Sequence, residues 1–339
     1  MSESIQGLWG LVGVVGFSAQ EQVEGASGLG QMMVDWLSLG SIYALLAMGF
    51  VIIFKSTQVL NFAHGALAAL GAFMVAYLAN VAEIPGQWMG DAPNWLKWVS
   101  SAILAMVAAA LIGLILERIF IRPMLGEGLF AVAIVTLGLD IAIRTITNDF
   151  IGTNPRPLGI PTGGSSLDLG WAVVPWNVVI SVLVTLATVG LIALFFRSRT
   201  GVAMQATAFD QEAARAQGIQ VGRIFSLAWA MGAAMAAVAG IFVSVSPRRS
   251  IGVDPSTAFF AFLAFPAVVL GGLDSVVGAV VGGYVIGLAQ AAVTEFVSNN
   301  PTFAFLGSGF GGVVPYLVML LVLLIRPYGL FGTEEIRRV

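Results

Sequence analysis

Apolar residues run along this chain in long unbroken stretches, not in the spaced stripes of a water-soluble fold. Runs at 34–54, 62–82, 96–116, 129–147, 176–196, 224–244, 257–271, 275–297 and 309–325 are separated by polar segments. A helix needs about 20 apolar residues to cross a bilayer, and most of these runs come close to that length or exceed it. The seventh is short and carries Pro266, so it reads either as a crossing or as a broken or re-entrant helix. The pattern predicts an all-α polytopic membrane protein with 8–9 transmembrane helices.

Composition sharpens this picture mainly by exclusion. The 339 residues are 58% hydrophobic and only 10% charged, more apolar than the interior of a soluble domain could hide. The spans use up the chain and leave no room for a separate soluble domain. There is no cysteine, which rules out disulfides, thiolate metal sites and a cysteine nucleophile. A single histidine rules out a multi-histidine metal site. The net charge of −3, without a basic patch, gives no sign of nucleic acid. Residues 1–33 read as an N-terminal extension, interfacial or loosely ordered. The apolar run 5–17 inside it follows Glu3 in place of a basic segment, and it is too short to span.

The positive-inside rule orients the spans. With the N-terminus outside, Lys55, Arg118, Arg122, Arg197, Arg199, Arg215, Arg223, Arg326, Arg337 and Arg338 fall inside. Lys97, Arg156, Arg248 and Arg249 fall outside, and Arg144 lies within a span. Ten against four favours an outer N-terminus and a cytoplasmic C-terminus, provided the seventh run crosses. The segment 148–175, rich in Gly, Pro, Ser and Asp, is then the longest outer loop. It reads as a passive connection or as a landing surface for a solute-binding protein.

The longest polar insert on the inner side is 197–223, RSRTGVAMQATAFDQEAARAQGIQVGR. Asp210 is placed as an N-cap, and Glu212 puts a carboxylate in the first turn, where it complements the helix dipole. Gly218 supplies the stop, which predicts a short helix over about 211–217. Such a helix is marginal in water and needs something to dock against.

The spacing of Gly201, Asp210, Ala213, Ala214 and Gly218–Ile219 resembles the EAA-type loop of ABC importer permeases. Four further stretches, GSIYALLAMGF at 40–50, NFAHGALAALGAF at 61–73, VVLGGLDSVVGAVVGGYVIG at 268–287 and RPYGLFG at 326–332, resemble the branched-chain amino acid ABC importer permeases of the LivH type. The likeness covers the chain from about residue 34 to its end, in the family's order. It implies a permease domain over 34–339, with 197–223 as a cytoplasmic coupling loop whose short helix sits in a cleft of an ATPase subunit. It further implies a second homologous permease subunit, two ATP-binding subunits and an extracytoplasmic solute-binding protein, in the inner membrane. The expected cargo is a branched-chain amino acid or a similar small polar solute, with urea or a short amide as the alternative.

Individual residues add candidate roles. Asn61 and His64 begin the second span, as a cap and a carbonyl-bonded ring or as groups lining a solute pathway. Asp140 and Arg144 stand four apart on the fourth span and should pair along one helix face, structurally or as a gate or zwitterion contact. Gly278, Gly282, Gly283 and Gly287 let helices approach closely in lipid. No cofactor is expected on this chain. Its two lysines, Lys55 and Lys97, stand in no phosphate loop, so any ATP would be hydrolysed by another subunit. Leu306 stands where a GxSG serine motif needs its first glycine, which argues against a membrane hydrolase. A channel or a proton-coupled carrier is the other class, and for a carrier Asp140 alone is placed to relay protons.

Overall fold

The computed structural model describes residues 28–332, except 125, 153, 246–251, 299–300 and 308. Residues 1–27 of the expected extension, and Arg248, Arg249, Arg337 and Arg338, lie outside that set. Eleven helices form among the described residues. They are α1 Gly28–Thr57, α2 His64–Asn80, α3 Asn94–Leu116, α4 Leu129–Ile151 and α5 Trp176–Arg197. After these come α6 Arg199–Phe209, α7 Gln211–Ala216, α8 Val221–Val243, α9 Phe260–Gly271, α10 Val276–Val293 and α11 Val314–Ile325. By length and apolarity α1, α3, α4, α5, α8 and α10 can cross a membrane, while α2, α9 and α11 are shorter apolar helices. The protein is therefore a helical polytopic membrane protein with six clear spans.

Two expectations change. The first helix begins at Gly28, inside the segment read as an extension up to residue 33, because the apolar sequence after Gly28 continues the helix. The fold is also not purely helical. Within 148–175, β1 Ser166–Asp168 pairs antiparallel with β2 Val173–Pro175. Asp168 Oδ1 accepts from the Gly170 amide at 2.8 Å, and Gly170 takes φ +77° in the connecting turn.

Helix α1 is apolar on every side and is buried along most of its length, as such a helix must be. Helix α10 packs along it through small residues. A Cβ added at Gly283 would lie 2.5 Å from the Ala44 nitrogen, and one at Gly287 would lie 2.6 Å from the Gly40 nitrogen. Gly278 and Gly282 face the other way and press on Gly271 and Ala267 of α9. The glycine series thus forms two seams, one toward each neighbour. Hydrogen bonds key the register: Trp36 Nε1 donates to the Tyr284 carbonyl at 2.9 Å, and the Tyr43 hydroxyl to Gln290 Oε1 at 2.6 Å.

Pro266 sits inside α9 and cannot donate to the carbonyl of Phe262 one turn earlier. The Tyr316 hydroxyl of α11 donates to that carbonyl at 3.0 Å. A tertiary contact thus satisfies the backbone group that the proline frees, which is how prolines are tolerated in membrane helices.

The connecting segments collect at two ends. At one end, Lys55 lies over the Phe196 ring at 5.6 Å, and a cleft of about 900 Å³ is lined by Lys55, Gln58, Gln205, Gln211, Asp274 and Tyr328. At the other end, the Asn80 amide donates to the Pro157 carbonyl at 2.9 Å and Trp98 Nε1 to the Leu158 carbonyl at 2.7 Å.

Candidate functional site

Two regions carry the residues singled out in the sequence. The first is the 197–223 insert, which folds into two helices where one was expected. Ser198 caps α6 by accepting from the Gly201 amide at 3.1 Å, and Gly201 packs directly on the backbone of Phe195 and Phe196. Asp210 then ends α6 and starts α7, its Oδ1 accepting from the Glu212 and Ala213 amides at 2.9 Å each. At the far end Gly218 adopts φ +82°, the left-handed conformation that glycine reaches without penalty. The Ile219 amide donates to the Ala214 carbonyl at 3.0 Å and the Gly218 amide to the Arg215 carbonyl at 2.9 Å. Those two bonds make a Schellman stop.

A helix of six residues needs an anchor, and α7 has one. Ala214 is buried in a small cluster with Val221 and Phe225 of α8, and Ile219 packs against it. Glu212, Ala213 and Arg215 face outward. Phe209, immediately before the cap, is 95% exposed. Neither α6 nor Phe209 was singled out from sequence. Ser198 followed three residues later by Gly201 was the available signal for the start of α6.

The second region lies within the bundle. A Cβ added at Gly49 would fall 2.6 Å from His64 Cε1, and Gly49 is about two turns, or 12 Å, before the end of α1. The start of α2 is therefore set back into the bundle, and residues 58–63 climb to reach it. The short helix Pro255–Phe259 ahead of α9 comes to the same level, where Gly65 presses on the Ala258 carbonyl.

Asp140 and Arg144 of α4 pack beside this junction. Arg144 Nη2 lies 2.7 Å from Asp140 Oδ2, and its guanidinium carbon sits 4.9 Å from the centre of the Phe259 ring. Asp140 Oδ1 is buried with no hydrogen-bond partner. One turn earlier, the Thr136 hydroxyl donates to the Leu60 carbonyl at 2.9 Å and ties α4 to the climbing segment.

Asn61 Oδ1 accepts from the Ala63 amide at 3.1 Å just ahead of α2, while its Nδ2 is buried and unpartnered. His64 is fully buried, its ring packed 4.4 Å from that of Phe50 in the space Gly49 leaves and set against the Leu46 backbone of α1. Asn61, Asp140 and Arg144 thus gather around the start of α2, and His64 packs between α2 and α1.

The sequence reading passed over Glu117. It is fully buried at the end of α3, and Arg122 reaches it through Nε at 3.1 Å and Nη2 at 3.0 Å. A charged residue closing an apolar run, with an arginine soon after it, was the signal.

Residues 32–323 match the family described as branched-chain amino acid transport system / permease component. The chain belongs to that family. It is 31% identical over 318 residues to the high-affinity branched-chain amino acid transport system permease protein LivH of Salmonella typhimurium, spanning 91% of this chain and 97% of that protein. It is 29% identical over 318 residues to the permease protein BraD of Pseudomonas aeruginosa, spanning 91% of this chain and 97% of BraD. A solved structure described as PsaBC from Streptococcus pneumoniae in complex with Fab aligns with a TM-score of 0.46 at 13% identity, covering 88% of this chain and 92% of that one. The chain is accordingly a permease subunit of a transport system and not an enzyme.

Proposed function

We propose that this permease subunit moves branched-chain amino acids, or a similar small zwitterionic or polar solute, inward across the cell membrane, driven by ATP hydrolysed on partner subunits. The relatives' names support the solute class; urea or a short amide is the alternative cargo. The observation that carries the mechanism is α7, a capped and glycine-stopped helix whose outer face is free and whose inner face is locked to α8. Two ATP-binding subunits would press on that helix and on the exposed Phe209, and α8 would take the motion into the bundle. A second, homologous permease subunit would close the pathway, with Asn61, Asp140 and Arg144 placed along it. A solute-binding protein would deliver cargo at the end that carries the β1–β2 hairpin. The basic residues gathered near α7 support a cytoplasmic location for that end and an outer N-terminus.

The test is uptake by the assembled transporter in vesicles, with labelled leucine and labelled urea offered separately. Gly218→Val forces a β-branched residue into the left-handed region, while Asp210→Ala removes a cap for about 1 kcal/mol. Uptake of leucine should be lost in the first and intermediate in the second, with both inserted at wild-type levels. Full uptake by Gly218→Val would overturn the coupling role and favour a channel.

A further inference from the structure

Beside the seat of α7 on α8 stands a second connection, from the base of α8 to the end of α3. The carboxylate of Glu117, fully buried, is held by Arg122 and also accepts from the Ser226 hydroxyl at 2.7 Å. Arg122 Nη2 donates in turn to Ser226 Oγ at 2.7 Å and to the Gly222 carbonyl at 2.8 Å. Gly222 and Ser226 lie in the first turns of α8, directly after the α7 stop and next to Val221 and Phe225, on which α7 is seated. Glu117 and Arg122 belong to the elbow where α3 passes through a π-turn, Glu117–Ile121, into the turn Arg122–Met124.

We infer that the Glu117–Arg122–Ser226 clasp is a coupling element: it binds the base of α8 to the α3 elbow, so that displacement of α7 moves both helices as one body. Charge-assisted bonds to a buried carboxylate are short and geometrically exacting, which suits a joint that must not slip. Farther along, Gly113 lets α3 meet α8 closely, a Cβ there falling 2.6 Å from the Trp229 carbonyl. The two helices are thus already packed along their length and need only be locked at the end where force enters. Glu117, Arg122 and Ser226 are positioning residues on this account, and the inference rests on the reading of α7 as the ATPase contact.

The test uses the whole transporter in vesicles. The double change Glu117→Leu, Arg122→Met removes the clasp without stranding a charge: Glu117 is buried and Arg122 half-buried, and replacing both partners by apolar residues of similar size is often tolerated. Ser226→Ala cuts the link to α8 and leaves the ion pair in place. Both variants should copurify with the ATP-binding subunits in wild-type ratio and hydrolyse ATP, yet lose at least ten-fold (double change) or about three-fold (Ser226→Ala) in solute moved per ATP. Arg118→Ala, an exposed neighbour, should match wild type.

Because the chain has no cysteine, the pair Arg122→Cys, Ser226→Cys can also be bridged by a short bis-thiosulfonate, and bridging should raise uptake above the unbridged form. Clasp variants that move solute per ATP within two-fold of wild type, or a bridge that leaves uptake unchanged or lower, overturn the proposal. If Gly218→Val abolishes uptake while the clasp variants stay fully coupled, only the clasp fails. If Gly218→Val transports normally, the coupling reading fails first.

Discussion

Replacing Arg144 by Ala strips the counter-ion from Asp140, whose side chain is only 3% exposed and whose Oδ2 lies 2.7 Å from the guanidinium. Removing one partner of a buried ion pair costs about 3–5 kcal/mol, since the remaining charge has neither water nor counter-ion. Loss of the cation from the Phe259 face adds about 0.5–1 kcal/mol. That is a large share of the 5–15 kcal/mol that stabilises a typical domain, so the variant should reach the membrane in reduced amount and unfold early.

Asp140→Asn together with Arg144→Ala removes the stranded charge and should leave a deficit of about 1–2 kcal/mol, from the lost ring contact and hydrogen bond. The assay is the monodisperse fraction left after heating detergent extracts. A double variant less stable than either single one would refute the pairing argument.

Tyr316→Phe should cost about 1–3 kcal/mol by leaving the Phe262 carbonyl without a donor, lowering the melting temperature of the extracted protein with little change in uptake selectivity. Gly283→Val should destabilise by at least 1–3 kcal/mol because its Cβ meets the α1 backbone. Gly190→Val on α5, where an added Cβ meets nothing within 4 Å, should be close to neutral, so comparable losses at both sites would discount the α1–α10 seam.

What the chain showed before folding follows from which interactions are local. The apolar runs announce the helices because lipid demands uninterrupted apolar surface, and the ends of α7 are legible because a cap and a glycine stop act within a few residues. Asp140 and Arg144 were legible as neighbours because a spacing of four brings side chains to one face of an α-helix. Glu117 and Arg122 stand five apart, a spacing an α-helix would splay, and only the π-turn between them brings them together. Nothing in the local pattern announced that turn. The start of α2 escaped for a related reason. The apolar run 62–82 looks like a full crossing, whereas residues 58–63 climb into the bundle because Asn61 and Thr136 satisfy their backbone there. The bond from Tyr316 to the carbonyl freed by Pro266 is likewise a property of the packed bundle, not of either segment alone.

The surroundings of α7 are unequal, and on the coupling reading the inequality sets the direction in which force travels. On one side, the buried cluster of Ala214, Val221 and Phe225 leaves no slack between α7 and the base of α8. On another, the polar cleft of about 900 Å³ separates Gln205 and Gln211 from Lys55 at the end of α1 and from Asp274 in the α9–α10 turn. A push on α7 therefore meets a direct path into α8 and, through Arg122, into α3, while α9 and α10 lie across the cleft. Those two are joined to α1 by the glycine seams at Gly278, Gly282, Gly283 and Gly287. Helix α8 also packs closely on α1, where a Cβ added at Gly232 would lie 3.1 Å from the Gly49 carbonyl, so on this reading the motion reaches the glycine-packed block through α1. Helix α2 touches both α8 and the turn ahead of α9, with Gly71 seated on Ala237 of α8 and Gly65 on the Ala258 carbonyl. Its buried start lies beside Asn61 and the Asp140–Arg144 pair. On the proposed reading, polar residues of a pathway belong there, because this start contacts both the helix that receives the push and the turn that leads into α9.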